Sequence, residues 1–351
     1  SVQASDPTLV LLSDYRVVHL PVEAVPRSVP GSHAIYPNHR YFVPAGKAAQ
    51  ASAAQDWVDS LIGLTDAWRL TEGSPDVVVG IVDTGLEVGF PGGRHRVSIN
   101  HAEDISSNGR FDPWPSTEFR DGVSGDLDGI DQDGNGFVDD VAGFDFVDQV
   151  SPNIGDYALR DPVADDEQGH GTQVGGIIGA VERGAEIRGI APGVSIMPLR
   201  AFDADGEGED DDIAAAIVYA ADNGVDILNL SFGDSYRSPL LADAIAYARS
   251  LVLFIVPSSG NNGVSTPHYP SDFSGVMSVG SVRSDGILSI FSGFGSLLSM
   301  TAPGEGVTTR GLDGKSTQVN GTSFAAPHVA AAAALLQSNN QNLTNLEISG
   351  M

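Results

Sequence analysis

Five apolar runs, at residues 77–82, 196–202, 227–230, 251–256 and 276–282, constrain this chain more than anything else in it. They lack the strict polar–apolar alternation of a strand with one face in water. Such strands must be covered on both faces, as in a parallel sheet packed with helices. The intervals between them carry helical segments, at about 170–181, 210–221, 239–249 and 322–337. Asp210, Asp211 and Asp212 then fall in a first helical turn, where acids complement the macrodipole. This alternation predicts an α/β domain with a mostly parallel central sheet.

Residues 1–54 are set apart from that pattern. Pro21, Pro26, Pro30, Pro37 and Pro44 argue against helix there, and 8–12 and 15–20 could form short strands. The segment reads as an N-terminal extension or the remnant of a propeptide, with the main domain at 55–351. At 351 residues and 41% hydrophobic, the chain can bury a large core. No apolar run approaches the roughly 20 residues that span a bilayer. Cysteine is absent, which excludes disulfides and a thiol nucleophile. The net charge of -28 makes nucleic acid and anionic membranes poor partners and suggests bound cations or a salty habitat. No secretory signal is visible at Ser1, as expected of a mature or an intracellular protein.

Three glycine-framed segments carry candidate chemistry. They are Val79-Gly80-Ile81-Val82-Asp83-Thr84-Gly85, Gly169-His170-Gly171-Thr172 and Asn320-Gly321-Thr322-Ser323-Phe324-Ala325-Ala326-Pro327. Asp83 is placed at the carboxyl end of a strand, where α/β sites form, and His170 and Ser323 each start a helix. A nucleophile, a base and an acid that orients the base need only meet in space, and their order along the chain separates folds that reach the same geometry independently. With these motifs in the order Asp, His, Ser, the chain resembles the subtilisin-like serine peptidases from about Gln55 onward. The resemblance implies a three-layer α/β/α fold and a triad: Ser323 the nucleophile, His170 the general base and acid, Asp83 its orienting partner. An α/β-hydrolase esterase would need a Ser–Asp–His order and usually a Gly-x-Ser-x-Gly elbow, whereas this serine stands in Gly-Thr-Ser-Phe-Ala. A pseudoenzyme that keeps the fold without turnover is the rival reading, against which the intact set of residues argues.

The same resemblance assigns Asn261, in Gly260-Asn261-Asn262-Gly263, as an oxyanion donor beside the Ser323 amide. It places an extended substrate between two edges, Gly206-Glu207-Gly208 and Ser231-Phe232-Gly233. His268, in Pro267-His268-Tyr269-Pro270, falls on the floor of the primary pocket. The acids around the first edge suggest a preference for cationic residues, against the plainer reading of a solvated helix start. By the same likeness the protein is expected to be secreted, its signal and propeptide removed, and to act as a monomer on protein substrates, with its own propeptide a further partner.

A second pattern lies in an inserted loop at about 121–148. Asp131, Asp133 and Asn135 alternate, Gly136 supplies a sharp turn, and the Phe137 carbonyl follows, as in the first half of an EF-hand loop. The twelfth position holds Ala142 rather than a bidentate Glu, so Asp126, Asp128, Asp139 and Asp140 are expected to complete the shell. No Lys or Arg lies between Gly122 and Leu159 to neutralise the acids. Such a cluster predicts bound Ca2+. A second calcium loop, usual in relatives after the histidine helix, is not expected at 181–189, where Arg183 and Arg188 stand and the usual Asn ligands are missing.

Overall fold

A computed structural model describes residues 38–43, 56–87, 96–148, 160–181, 188–312, 314 and 316–350. The strand candidates at 8–12 and 15–20, and most of 181–189, lie outside the described residues. The central sheet has five parallel strands in the order β5 (Phe144–Asp145), β6 (Ser195–Arg200), β2 (Val78–Asp83), β8 (Ile227–Leu230) and β9 (Phe254–Pro257). Successive side chains of a strand leave opposite faces, so a run that is apolar throughout feeds two cores. Val79 and Ile81 join one core with Ile196, Ile227, Phe254 and Val256. Val82 joins the other with Met197, Leu199, Leu228, Leu230 and Ile255.

Helices α3 (His170–Gly179) and α6 (Thr322–Asn339) cover the first face. Helices α4 (Asp210–Asp222) and α5 (Pro239–Ser250) cover the second. The four helices match the expected segments to within two residues at each end. Among the described helices none is long and apolar enough to cross a membrane.

Two strand expectations need correction. The fourth strand starts at Phe254 rather than residue 251, because Leu251 caps α5 and Val252 takes φ +71°. The fifth run forms only β10 (Val279–Val282), which pairs in parallel with β11 (Met300–Pro303) outside the five-stranded sheet. Its tie to β9 is the Ser258–Val279 bridge and the Met277 amide donating to the Ile255 carbonyl at 2.8 Å. A hairpin of β12 (Glu305–Arg310) and β13 (Ser316–Asn320) then leads into α6.

Candidate active site and acidic loop

Strand β2 lies in the middle of the sheet and ends on Asp83, at the carboxyl edge where open α/β sheets form their clefts. Asp83 and His170 are both fully buried. Asp83 Oδ1 accepts from the Thr84 amide at 2.8 Å and meets His170 Nδ1 at 2.7 Å. An ionised carboxylate can only accept, so the proton of a neutral His170 sits on Nδ1 and Nε2 keeps its lone pair. Nε2 is buried without a hydrogen-bond partner.

A second acid braces this pair. Asp166 Oδ1 accepts from Thr84 Oγ1 at 2.8 Å and from the Gly169 amide at 2.7 Å, while Oδ2 accepts from the Thr172 amide at 2.8 Å. Thr84 Oγ1 in turn accepts from the Gly171 amide at 2.9 Å, so the end of β2 and the start of α3 are stapled together. Burial pushes the Asp166 carboxyl above the usual range, against the pull of these donors. The approach is close: a Cβ at residue 171 would lie 2.1 Å from the Gly85 carbonyl oxygen, which excludes any residue but glycine there. The sequence reading does not single out Asp166, although an acid shortly before a helix start is a capping signal.

Ser323 lies in the first turn of α6 and is buried. Pro327 has no N–H to give the Ser323 carbonyl, the acceptor one helical turn back. Ser231 Oγ donates to that carbonyl instead, at 2.7 Å, and Ser323 Oγ donates to the Ser231 carbonyl at 2.9 Å. Asn229 Nδ2 donates to Ser231 Oγ at 2.8 Å. The Phe324 ring lies 5.3 Å from the His170 ring, which brings the imidazole up to the first turn of α6. The Ser323 hydroxyl is engaged by the Ser231 carbonyl and makes no hydrogen bond to Nε2.

Asn261 Oδ1 accepts from the Thr322 amide at 2.8 Å and from Thr322 Oγ1 at 3.0 Å. A backbone N–H can only donate, so the amide oxygen must face Thr322, and the NH2 group is left to other partners. Ser231, Gly233, Asn261, His268 and Ser323 all line one cleft of about 340 Å³. His268 fills the gap between the two glycine segments that wall it. A Cβ at Gly233 would lie 2.2 Å from His268 Cε1, and one at Gly260 would lie 2.7 Å from His268 Cδ2. Ser271 Oγ donates to the His268 carbonyl at 2.8 Å and contacts Nδ1 at 3.1 Å. Burial lowers the His268 pKa, so this cleft residue is a neutral imidazole at neutral pH.

The edge at Gly206-Glu207-Gly208 is occupied by the chain itself. Strand β1 (Arg40–Phe42) pairs antiparallel with β7 (Glu207–Glu209), Tyr41 opposite Gly208, and the Val43 amide donates to the Gly206 carbonyl at 2.9 Å. Phe42 reaches the cleft that Ser323 lines. Nothing in the sequence marks 40–42 as a strand, because its pairing partner is some 170 residues away.

In the acidic loop, the structure gathers Asp131 and Asp133 with Glu103, their carboxylate oxygens within 4.8 Å of one another. Glu103 lies upstream of the motif and is fully buried. Its Oε1 accepts from the Gln132 and Asp133 amides at 2.7 and 3.1 Å, and its Oε2 is buried with no partner. Burial pushes its carboxyl up. The other expected ligands have different work. Asp126 accepts from the Ser106 and Asp112 amides at 3.0 and 2.7 Å. Asp139 accepts from the amides of Asp128 and Gly129, and Asp128 from the Ile130 amide and Gln132. Asp140 accepts from Tyr219 Oη at 2.7 Å and from the side-chain Nδ2 groups of Asn100 and Asn135. Asn135 Oδ1 accepts from the Phe137 amide at 2.7 Å, and the Phe137 ring packs on Phe144, Phe146 and Tyr219. Asp131 also accepts from the Gly134 and Gly136 amides at 2.6 and 2.9 Å and Asp133 from the Asn135 amide at 2.9 Å, and their carboxylates still converge with Glu103.

Comparison with known proteins bears on all of this. The chain is 34% identical over 283 residues to a thermophilic serine proteinase of Bacillus sp. (strain AK1), covering 80% of this chain and 57% of that protein. It is 35% identical over 188 residues to subtilisin BL of Lederbergia lenta, covering 54% of this chain and 70% of that one. To the alkaline elastase YaB of Bacillus sp. (strain YaB) it is 35% identical over 54% of this chain and 50% of that one. The chain thus spans about half to two thirds of the length of these relatives. The crystal structure of a cold-adapted subtilisin-like serine proteinase superposes with a TM-score of 0.56 at 25% identity, covering 79% of this chain and 81% of that one. The Subtilase family model matches residues 74–351, a stretch that holds Asp83, His170, Asn261 and Ser323. The chain belongs to the subtilase family.

Proposed function

We propose that this protein is a serine endopeptidase that cuts extended protein chains with Asp83, His170 and Ser323. The observation that carries the reading is the buried 2.7 Å contact of Asp83 with His170 Nδ1, which leaves Nε2 as an unpaired base beside the first turn that bears Ser323. Rotation of the Ser323 side chain away from the Ser231 carbonyl brings its hydroxyl to Nε2. His170 takes the hydroxyl proton as Oγ bonds to the scissile carbonyl carbon. The developing oxyanion is met by Asn261 Nδ2 and the Ser323 amide. The Asn261 hydrogen bonds to Thr322 fix that donor before substrate arrives. His170 then gives the proton to the leaving amine, and the acyl-enzyme is released by water that His170 activates.

The substrate adds a strand to the β7 edge, the position that residues 40–42 hold here, and its primary side chain meets the neutral His268. The N-terminal segment is therefore a competitor for the enzyme's own cleft. Asp131, Asp133 and Glu103 are the residues fit to hold a Ca2+ ion: three hard oxygen donors converge, and a buried carboxylate oxygen lacks any other partner. Bound there, the ion would neutralise acids that otherwise repel one another. On this reading the protein works outside the cell, as its resemblance to the secreted subtilisin-like peptidases implies.

Hydrolysis of an unfolded protein by this chain and by Ser323→Ala, each with calcium and with a chelator, tests both claims. Cleavage by the parent alone is expected, fading as calcium is withdrawn. Cleavage that persists in Ser323→Ala overturns the nucleophile assignment, and cleavage indifferent to chelation removes the functional case for the ion.

A further inference from the structure

Residues 286–304 hold no ionisable side chain, in a chain whose net charge is -28. Two buried serines fix how this stretch is displayed. The Ser289 amide donates to the Ser281 carbonyl at 2.8 Å, and the two serine hydroxyls meet at 2.8 Å. The Ser281 amide donates to Ser292 Oγ at 2.9 Å. With Ser289 and Ser292 turned in against β10, Ile290 between them is turned out and is 93% exposed. The usual pattern is reversed, since here the hydroxyls are buried and the isoleucine meets water. Further along, Phe294 and Leu297 are 49% and 57% exposed. Single apolar side chains on a surface need no explanation, but a group of them marks a place of contact.

The stretch rides on the turn that carries Asn261. The Gly293 amide donates to the Gly260 carbonyl at 2.8 Å, the Gly263 amide to the Phe291 carbonyl at 2.7 Å, and the Phe294 amide to the Val264 carbonyl at 3.2 Å. A Cβ at Gly263 would lie 2.5 Å from the Ile290 carbonyl oxygen, so the two segments touch along their backbones. Val264 is 42% exposed and lines the cleft together with Asn261 and Ser323. The apolar surface therefore begins at the cleft and leads away from it. Residues 250–271, which include this turn, hold no acidic or basic residue but His268.

We infer that Val264, Ile290, Phe294 and Leu297 form an exosite for an apolar, uncharged stretch of the same polypeptide whose scissile bond lies in the cleft. The inference rests on the peptidase reading above. Charge decides the occupant. The surface offers no cation to an acidic segment and no acid to a basic one, so its affinity comes from apolar burial. A second copy of this chain is disfavoured, because it would bring another charge of -28 to the contact. A substrate anchored in the cleft carries no such penalty. Its flanking residues meet the exosite intramolecularly, so a contact too weak to capture a free peptide still strengthens binding. Folded proteins bury their apolar stretches and unfolded ones expose them. The exosite thus directs the enzyme to unfolded chains rather than to short or polar peptides.

The test compares peptides cut at one common bond. One is short and fills the cleft alone. Two others carry an added tail, of Leu, Val and Ala or of Ser and Asn, placed at either end in turn. At one of the two ends the parent is expected to cut the apolar-tailed peptide about tenfold more efficiently than the polar-tailed one, through KM rather than kcat. Ile290→Ser combined with Leu297→Ser should erase that preference and cut the short peptide as the parent does. Both side chains face water, so thermal unfolding should be unchanged. Equal treatment of the two tails by the parent, or a preference that survives the double substitution, overturns the exosite and leaves the peptidase standing. A dimer in sedimentation that the double substitution dissolves assigns the surface to a second copy and overturns the exosite as well. If the parent cuts the short peptide no faster than Ser323→Ala, the peptidase reading itself falls, and the exosite with it.

Discussion

The catalytic edge and the acidic loop solve opposite electrostatic problems. At the edge, the central buried groups are partnered before any ligand arrives: Asp83 has His170, and Asp166 has the Gly169 and Thr172 amides and the Thr84 hydroxyl. In the loop, acids crowd together with no cation between residues 122 and 159. Backbone amides satisfy most of them, and one oxygen of Glu103 is left over. The first region is preorganised by the fold. The second, on the proposed reading, is completed by the ion it binds. Reactive groups must be placed in advance, because reorganisation during the reaction would raise the barrier. A structural ion can contribute its stability on arrival.

Asp83→Asn should give the largest effect. The asparagine can present an N–H to Nδ1 and favour the wrong tautomer of His170, so a loss on the order of 10⁴ in kcat is expected with the fold intact. Steady-state hydrolysis together with thermal unfolding measures both. A rate within tenfold of the parent would detach Asp83 from the mechanism.

Glu103→Gln probes the other region. With saturating calcium the variant should unfold at lower temperature than the parent, by an amount that reflects up to about 4 kcal/mol of lost linkage at roughly a thousand times Kd. In chelator the order should close or invert, because the substitution removes a buried charge. A variant equally destabilised in both conditions would make Glu103 a packing residue.

What the sequence reveals follows the same division. Asp83, His170, Asn261 and Ser323 are legible as candidates because each sits in its own short glycine-framed segment. The five-stranded sheet is legible because strands buried on both faces announce themselves by apolar runs. Residues 276–282 mislead for the same reason, since an apolar run marks burial and not membership of one sheet. The proposed calcium shell is less legible. The spacing locates Asp131 and Asp133, but Glu103 comes from outside the motif, and Asp126, Asp128 and Asp139 are claimed by backbone amides that no spacing rule reports. Strand β1 is invisible locally because its stability comes from an edge 170 residues away and from Tyr41 in a pocket made by other elements.

The smallest effect concerns a buried group near Ser323. His328 is buried in α6, and its Nδ1 donates to the Phe324 carbonyl at 2.7 Å. Burial lowers its pKa to about 4. The unfolded chain therefore takes up a proton near pH 6.5 that the folded chain refuses until about pH 4. Stability is lost as pH falls through that window, by about 3 kcal/mol in total. Asp210 works in the opposite sense, because its raised pKa of about 6 lets the folded state take up a proton before the unfolded one. The net slope of the parent alone is therefore uninformative. In His328→Gln, a neutral side chain that can still donate to Phe324, denaturant titrations between pH 7 and pH 4 should lose the acid-sensitive component and keep the rest. If parent and variant titrate in parallel, the proton is taken up elsewhere, and the catalytic face holds its buried histidine at no pH-dependent cost.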